Sequence, residues 1–187
     1  RQSHSLVVAT DTHVISVFDL KTGAELYRKV RNARCVKIGP LGNKLLVGGW
    51  DRTFDMIDIH GGVSVAHPSL DNRDPDSTIQ SVAGSSAGMV VASGSEDGYC
   101  RVYMQNHDEV GAPYKEVSAS PLKHEDEVHD VEISGDGSFL AAGDCAGCVT
   151  IYDLRPRVVE GNHCAQIERV FQHNERPPIN DSEEENF

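Results

Sequence analysis

The sequence contains no apolar run long enough for a membrane-spanning helix, only one tryptophan, and 17 lysines and arginines against 29 aspartates and glutamates. The missing run excludes a helical span within these residues. The shortage of cations, which leaves a formal charge of −12, argues against a binder of phosphate backbones, because displacing counterions needs concentrated lysine and arginine. It points to partners with a basic or neutral contact surface, or simply to a solvated acidic exterior. A charged-then-apolar leader is absent from the opening Arg1-Gln2-Ser3-His4, as is an initiating methionine. The expectation is therefore an intracellular chain, cytoplasmic or nuclear, that forms part of something longer. Five cysteines, an odd number, fit the same expectation: most sit in apolar, strand-like surroundings as free thiols do in a reducing compartment.

Catalytic and metal-binding patterns are also scarce. Cys145 and Cys148 have the spacing of half a zinc site, but no second such pair exists, so they read as residues flanking a tight turn. The nine histidines are scattered, with no HExxH segment among them. The glycine-rich piece at 83–88 lacks the lysine and following helix of a phosphate loop. Asn180-Asp181-Ser182 matches a glycosylation acceptor only by coincidence if no secretory leader is present. The expectation is no enzyme, no cofactor and no metal.

What the sequence does contain is repetition. Residues 123–155 read as three short strands: an alternating stretch at 128–133, a Ser-Gly-Asp-Gly turn, an apolar run at 139–142, a second turn, and a strand at 149–152. Aligning Asp153 with Asp58 brings Gly137 onto Gly42, Leu140 onto Leu45, Gly143 onto Gly48 and Val131 onto Val36. Aligning Asp58 with Asp19 repeats the match, and Gly94, Gly98 and Tyr103 fall on Gly143, Gly147 and Tyr152. The units close at positions 19, 58, 104 and 153, spacings near the roughly 40–45 residues of a four-stranded propeller blade.

On these residues the chain resembles the WD40 repeats, through VISVFDLKTG, LLVGGWDRTFDMIDI, ASGSEDGYCRVYM and SGDGSFLAAGDCAGCVTIYDL. The resemblance covers nearly all of 5–173. It implies an all-β fold, a WD40-type β-propeller forming a partial ring of four-stranded antiparallel blades. Phe18, Ile57, Tyr103 and Tyr152 replace the signature tryptophan, Met104 replaces one signature aspartate, and only His124 matches the family histidine. The family's buried His, Ser/Thr, Asp and Trp network is thus expected to be incomplete in every blade, leaving apolar packing to do more. Implied strands are 5–9, 14–19 and 24–30; 34–38, 44–48, 53–59 and 63–67; 79–83, 89–94, 99–104 and one near 114–118; and 128–133, 139–143, 148–153 and 166–173. Residues 1–174 form the propeller part, and 175–187 an acidic, flexible tail. Propellers have about four to eight blades, so missing blades are expected from the same longer chain or a partner, with a self-contained four-bladed ring as the alternative.

The expected role is a non-catalytic scaffold for other proteins within a multiprotein assembly, without direct nucleic-acid or membrane contact. Trp50 lies in a turn beside Asp51 and Arg52, on the face that in this family also carries the loops between blades. It is either a binding anchor or packs over a neighbouring blade. Asp71, Asp74 and Asp76 in one loop, and Glu125, Asp126 and Glu127 in another, make that face acidic. Together with Trp50, Arg52 and His129 they are the expected protein-binding residues, suited to a basic segment. More narrowly, Tyr152-Asp153-Leu154-Arg155 resembles the W-D-x-R ending of substrate receptors of cullin-type ubiquitin ligases, with Phe18-Asp19-Leu20-Lys21 as a weaker copy.

Overall fold

The computed structural model describes residues 5–9, 14–30, 32–39, 44–50, 54–58, 64–66, 77–105, 114–117, 121–155, 157–159, 162–164 and 167–174. They contain strands and no helix. The first sheet is β1 (Ser5–Ala9), β2 (Val14–Asp19) and β3 (Glu25–Val30), and the second is β4 (Ala33–Ile38), β5 (Lys44–Gly49), β6 (Phe54–Asp58) and β7 (Ser64–Ala66). The third has β8 (Ile79–Gly84), β9 (Val90–Ser95), β10 (Tyr99–Met104), β11 (Lys115–Glu116) and β12 (Leu122–Lys123). The fourth is β13 (Val128–Ile133), β14 (Phe139–Asp144), β15 (Cys148–Asp153) and β18 (Glu168–Asn174), while β16 (Arg157–Val159) and β17 (Asn162–Cys164) pair only with each other. Each sheet is an antiparallel meander, the order of a propeller blade, and the aligned strands occupy aligned places.

Two local features depart from expectation. The outer strand of the third sheet is split, since β11 and β12 both pair with β10. The β16–β17 hairpin intervenes before the outer strand of the fourth sheet. The hairpin turns follow the sequence: Gly137 and Gly147 have φ of 77° and 79°, a region glycine enters without the Cβ penalty.

Three seams join the sheets, and they use equivalent positions. Ile15 and Val17 of the first sheet meet Leu45, Val47 and Ile57 of the second. Leu46, Phe54 and Met56 of the second meet Ile79, Val82, Val91 and Tyr103 of the third. Val90, Ala92, Cys100 and Val102 of the third meet Val128, Val131, Leu140 and Tyr152 of the fourth. In every seam the leading face of one sheet, drawn from its second and third strands, receives the back face of the next. Glycine makes the approach close: a Cβ on Gly48 would lie 2.6 Å from Ile79 Cγ2, and one on Gly94 2.7 Å from Val128 Cγ1. The innermost strands curve enough for Lys37 of β4 to pair with Glu132 of β13. Among the described residues no extensive contact joins the first sheet to the fourth, so the four sheets form an open arc rather than a closed four-bladed ring.

Of the expected polar network, the fourth sheet keeps a part, and Asp144 Oδ2 stays without a hydrogen-bond partner among the described residues. His124 is buried with its Nε2 3.0 Å from the Tyr152 hydroxyl and its Nδ1 3.4 Å from Asp144 Oδ2. Tyrosine can stand where tryptophan was expected because its hydroxyl reaches the imidazole directly. Asp144 in turn accepts the Cys148 N–H at 2.9 Å, tying the cluster to the hairpin.

Candidate functional site

The innermost strands of the second, third and fourth sheets share an irregularity. The pairing with the next strand shifts between Ala33 and Cys35, between Ile79 and Ser81, and between Val128 and Asp130. The extra residues are Arg34, Gln80 and His129, one β-bulge on each of these innermost strands, and a bulge re-aims its side chain out of the ladder. A second contact recurs beside each. The N–H groups of Trp50, Glu96 and Cys145, each just past the second strand, donate to the carbonyls of Asn32, Thr78 and Glu127, each just before the first. The start of the inner strand and the turn after its neighbour are therefore clamped together on one end of the arc, three times over.

The side chains on that end differ from sheet to sheet. On the second sheet the indole of Trp50 is 49% exposed, and the Arg34 guanidinium lies 4.8 Å from its centroid. Arg34 Nε also donates to Gln80 Oε1 at 3.0 Å, Gln80 Nε2 donates to Glu96 Oε1, and Glu96 Oε2 accepts the Thr78 N–H at 3.0 Å. This chain of contacts crosses the seam beside Trp50. On the fourth sheet Glu125, Asp126, Glu127 and His129 are all exposed. Asp126 Oδ1 accepts the Glu127 N–H at 2.8 Å, which fixes the acidic turn. Residual desolvation and the carboxylates of Glu127, Asp126 and Asp144 push the Cys145 thiol up, so this exposed cysteine is held protonated. Buried Cys148 accepts from Gln172 Nε2 at 3.0 Å, and the two cysteines flank a hairpin turn.

Among the expected binding residues, then, Trp50, Glu125, Asp126, Glu127 and His129 lie on this end, while Arg52, Asp71, Asp74 and Asp76 fall outside the described residues. Sequence reasoning missed Arg34, Gln80 and Glu96. Their signal is the apolar pairs Ala33/Val36, Ile79/Val82 and Val128/Val131, three residues apart, which a regular strand would place on opposite faces. All six pack into the seams, and only an extra residue between them permits that.

On the opposite end, Arg155 is fixed by its own strand. Its Nε and Nη2 donate to Asp153 at 2.9 and 2.6 Å, and its guanidinium lies 5.2 Å from the Phe139 ring centroid. The Asp153 side chain is 3% exposed and that of Arg155 60%. Beside His124, a cleft of about 530 Å³ opens between Lys123, Glu125, Arg169 and Gln172, with charges of both signs on its walls.

No curated protein is significantly similar to the chain. The sequence model described as WD domain, G-beta repeat, matches residues 64–103 and 117–153, the segments that close on Tyr103 and Asp153. Repeats of this kind support a protein–protein interaction module, and no helix among the described residues is long and apolar enough to cross a membrane. Two segments of the chain, set among sheets of one common register, match WD40 repeats, and this supports its assignment to the WD40-repeat family.

Proposed function

We propose that the chain is a non-catalytic scaffold within a multiprotein assembly, and that the clamped end of its arc receives an extended basic segment of a partner. The observation that carries this reading is the recurrence of bulge and clamp in three sheets, which sets Arg34, Gln80 and His129 in a row with Trp50 and Glu96 beside them. A rigid backbone with changing side chains is how a scaffold displays specificity. The row is polarised. Its second-sheet end is aromatic and cationic, and its fourth-sheet end carries Glu125, Asp126 and Glu127. Lysine or arginine residues of the ligand belong over the acidic end, with an apolar residue against the open face of Trp50. The test is binding of a fluorescent lysine/arginine-rich peptide over a salt series. The triple substitution Glu125→Gln, Asp126→Asn and Glu127→Gln should weaken binding most at low salt and flatten its salt dependence. Unchanged affinity at low salt overturns the reading.

One observation favours a second reading, a substrate-recognition subunit of a cullin-type ubiquitin ligase. Arg155 is exposed yet held on a buried aspartate and an aromatic ring, the preorganised state of a docking arginine. Arg155→Ala should abolish capture by a ligase adaptor while leaving the basic-peptide affinity unchanged. Absence of adaptor capture by the unsubstituted chain removes this reading and leaves the first intact.

A further inference from the structure

Equivalent faces of the third and fourth sheets are finished differently at one end. With Gly94 aligned on Gly143, Asp97, Tyr99 and Arg101 of the third sheet fall on Ala146, Cys148 and Thr150 of the fourth. In the third sheet the three form one cluster. The Arg101 guanidinium donates to both Asp97 carboxylate oxygens, at 3.2 and 2.6 Å, and lies 5.6 Å from the Tyr99 ring centroid. The Arg101 and Asp97 side chains are 7% and 6% exposed, a buried cation with its own counterion.

In the fourth sheet all three places hold small residues, and the cleft of about 530 Å³ opens against two of them, the buried Cys148 and Thr150. Asp144 borders the same cleft, at the place where the third sheet has Ser95, whose hydroxyl donates to the Thr78 carbonyl at 3.0 Å. Asp144 Oδ1 accepts the Cys148 N–H, but Oδ2, on a side chain 1% exposed, has no hydrogen-bond partner among the described residues. A buried carboxylate oxygen without a donor is costly. The fourth sheet therefore has a carboxylate and the room for a cation, where the third sheet supplies the cation from its own strand. The mouth of the cleft has the opposite sign: Lys123 and Arg169 are both exposed there, and Arg169 Nη1 is held by Gln172 Oε1 at 2.6 Å. Glu125 adds one further carboxylate to the wall.

We infer that this cleft binds a small guanidino amino acid of the free L-arginine type. Its guanidinium sits against Asp144, on the face where Arg101 lies in the third sheet, and its carboxylate meets Lys123 and Arg169. The α-ammonium falls to Glu125. A planar guanidinium presents several donors in a fixed geometry that matches a carboxylate, and the cleft has the size of small-molecule sites, roughly 300–1,000 Å³. Walls of mixed charge suit a ligand carrying both signs better than a simple cation or anion. Glu125 also belongs to the acidic turn proposed for peptide binding, so the two readings are tested on different residues: that one at 125–127, this one at 146, 150 and 169.

The probe is L-arginine, titrated calorimetrically into the whole chain, and a saturable one-site isotherm is expected. Agmatine, which lacks the carboxylate, and L-citrulline, which keeps the shape without the charge, should each bind about tenfold or more weakly. Thr150→Arg together with Ala146→Asp rebuilds the third-sheet pair inside the cleft, and should abolish the isotherm without lowering the urea midpoint. Arg169→Ala, at an exposed position, should weaken L-arginine binding and leave agmatine binding unchanged, a readout that holds even if the double substitution disturbs folding. Absence of saturable binding at millimolar L-arginine overturns the inference, as does equal affinity for L-citrulline. An isotherm that survives the double substitution in a folded protein overturns it too. So does N-acetyl-L-arginine amide binding as tightly as L-arginine, for then the site takes an arginine side chain of a partner protein and not the free amino acid.

Discussion

The two faces of the fourth sheet are written in the same apolar alphabet but live in different surroundings. On the back, Val131, Leu140 and Tyr152 are 1%, 0% and 3% exposed because the third sheet lies against them. On the front, Phe139 and Val149 alternate with Leu140 and Tyr152 along β14 and β15, Phe171 joins them from β18, and all three are exposed. The hydrophobic effect rewards only area removed from water, so the packed face stabilises the chain and the exposed one contributes little. Blade repetition makes both faces apolar, and position in the arc decides which role each plays.

The comparison breaks most visibly under side-chain truncation. Leu140→Ala, which empties a site sealed between two sheets, should lower stability by about 2–5 kcal/mol, read as the shift of a urea transition. Val149→Ala, from the next strand but the opposite face, should stay within about 0.5 kcal/mol of the parent. A loss at Val149 comparable to that at Leu140 would mean the front is covered in the chain alone.

A smaller contrast is available at the glycines. Gly94→Ala forces a Cβ to 2.7 Å from Val128 Cγ1, an overpacking that should cost about 1–3 kcal/mol. Gly143→Ala adds the same methyl where nothing among the described residues lies within 4 Å, and should leave the thermal transition unlowered. Equal losses at the two positions would show that the glycine requirement belongs to the strand itself and not to the neighbouring sheet.

The pattern along the chain exposes much of this architecture. Register aligns Gly48, Gly94 and Gly143, and the resemblance to WD40 repeats places most strands to within a residue or two and puts Trp50 and the 125–127 acids on one end. Three features resisted for physical reasons. A bulge is defined by pairing between strands, so Arg34, Gln80 and His129 look like ordinary strand residues until the partner strand is known. The split outer strand and the β16–β17 hairpin are built from pieces of two or three residues, too short to show a period. The tyrosine at position 152 reads as a lost tryptophan, whereas its hydroxyl bonds the buried His124. Loss of a signature residue is not loss of the interaction when another donor reaches the same atom.

That histidine supplies the smallest expected effect. Desolvation is the leading influence on His124 and lowers its pKa below 6.5; the Asp144 carboxylate opposes it and Arg169 adds slightly to the lowering. The neutral ring suits its surroundings, with Nε2 in a hydrogen bond to the Tyr152 hydroxyl and Nδ1 3.4 Å from Asp144 Oδ2. Because the folded pKa is depressed, the unfolded chain binds a proton first as pH falls. The stabilisation is present above the unfolded value of about 6.5 and is lost as pH falls through the folded one. Urea midpoints followed from about pH 8 to about pH 5 should therefore decline below neutrality. His124→Gln should lower the midpoint at high pH and reduce that decline. A midpoint that instead rises on acidification, with the rise abolished by His124→Gln, would show that Asp144 outweighs desolvation. The cluster on the packed face would then be an ion pair rather than a neutral hydrogen-bonded one.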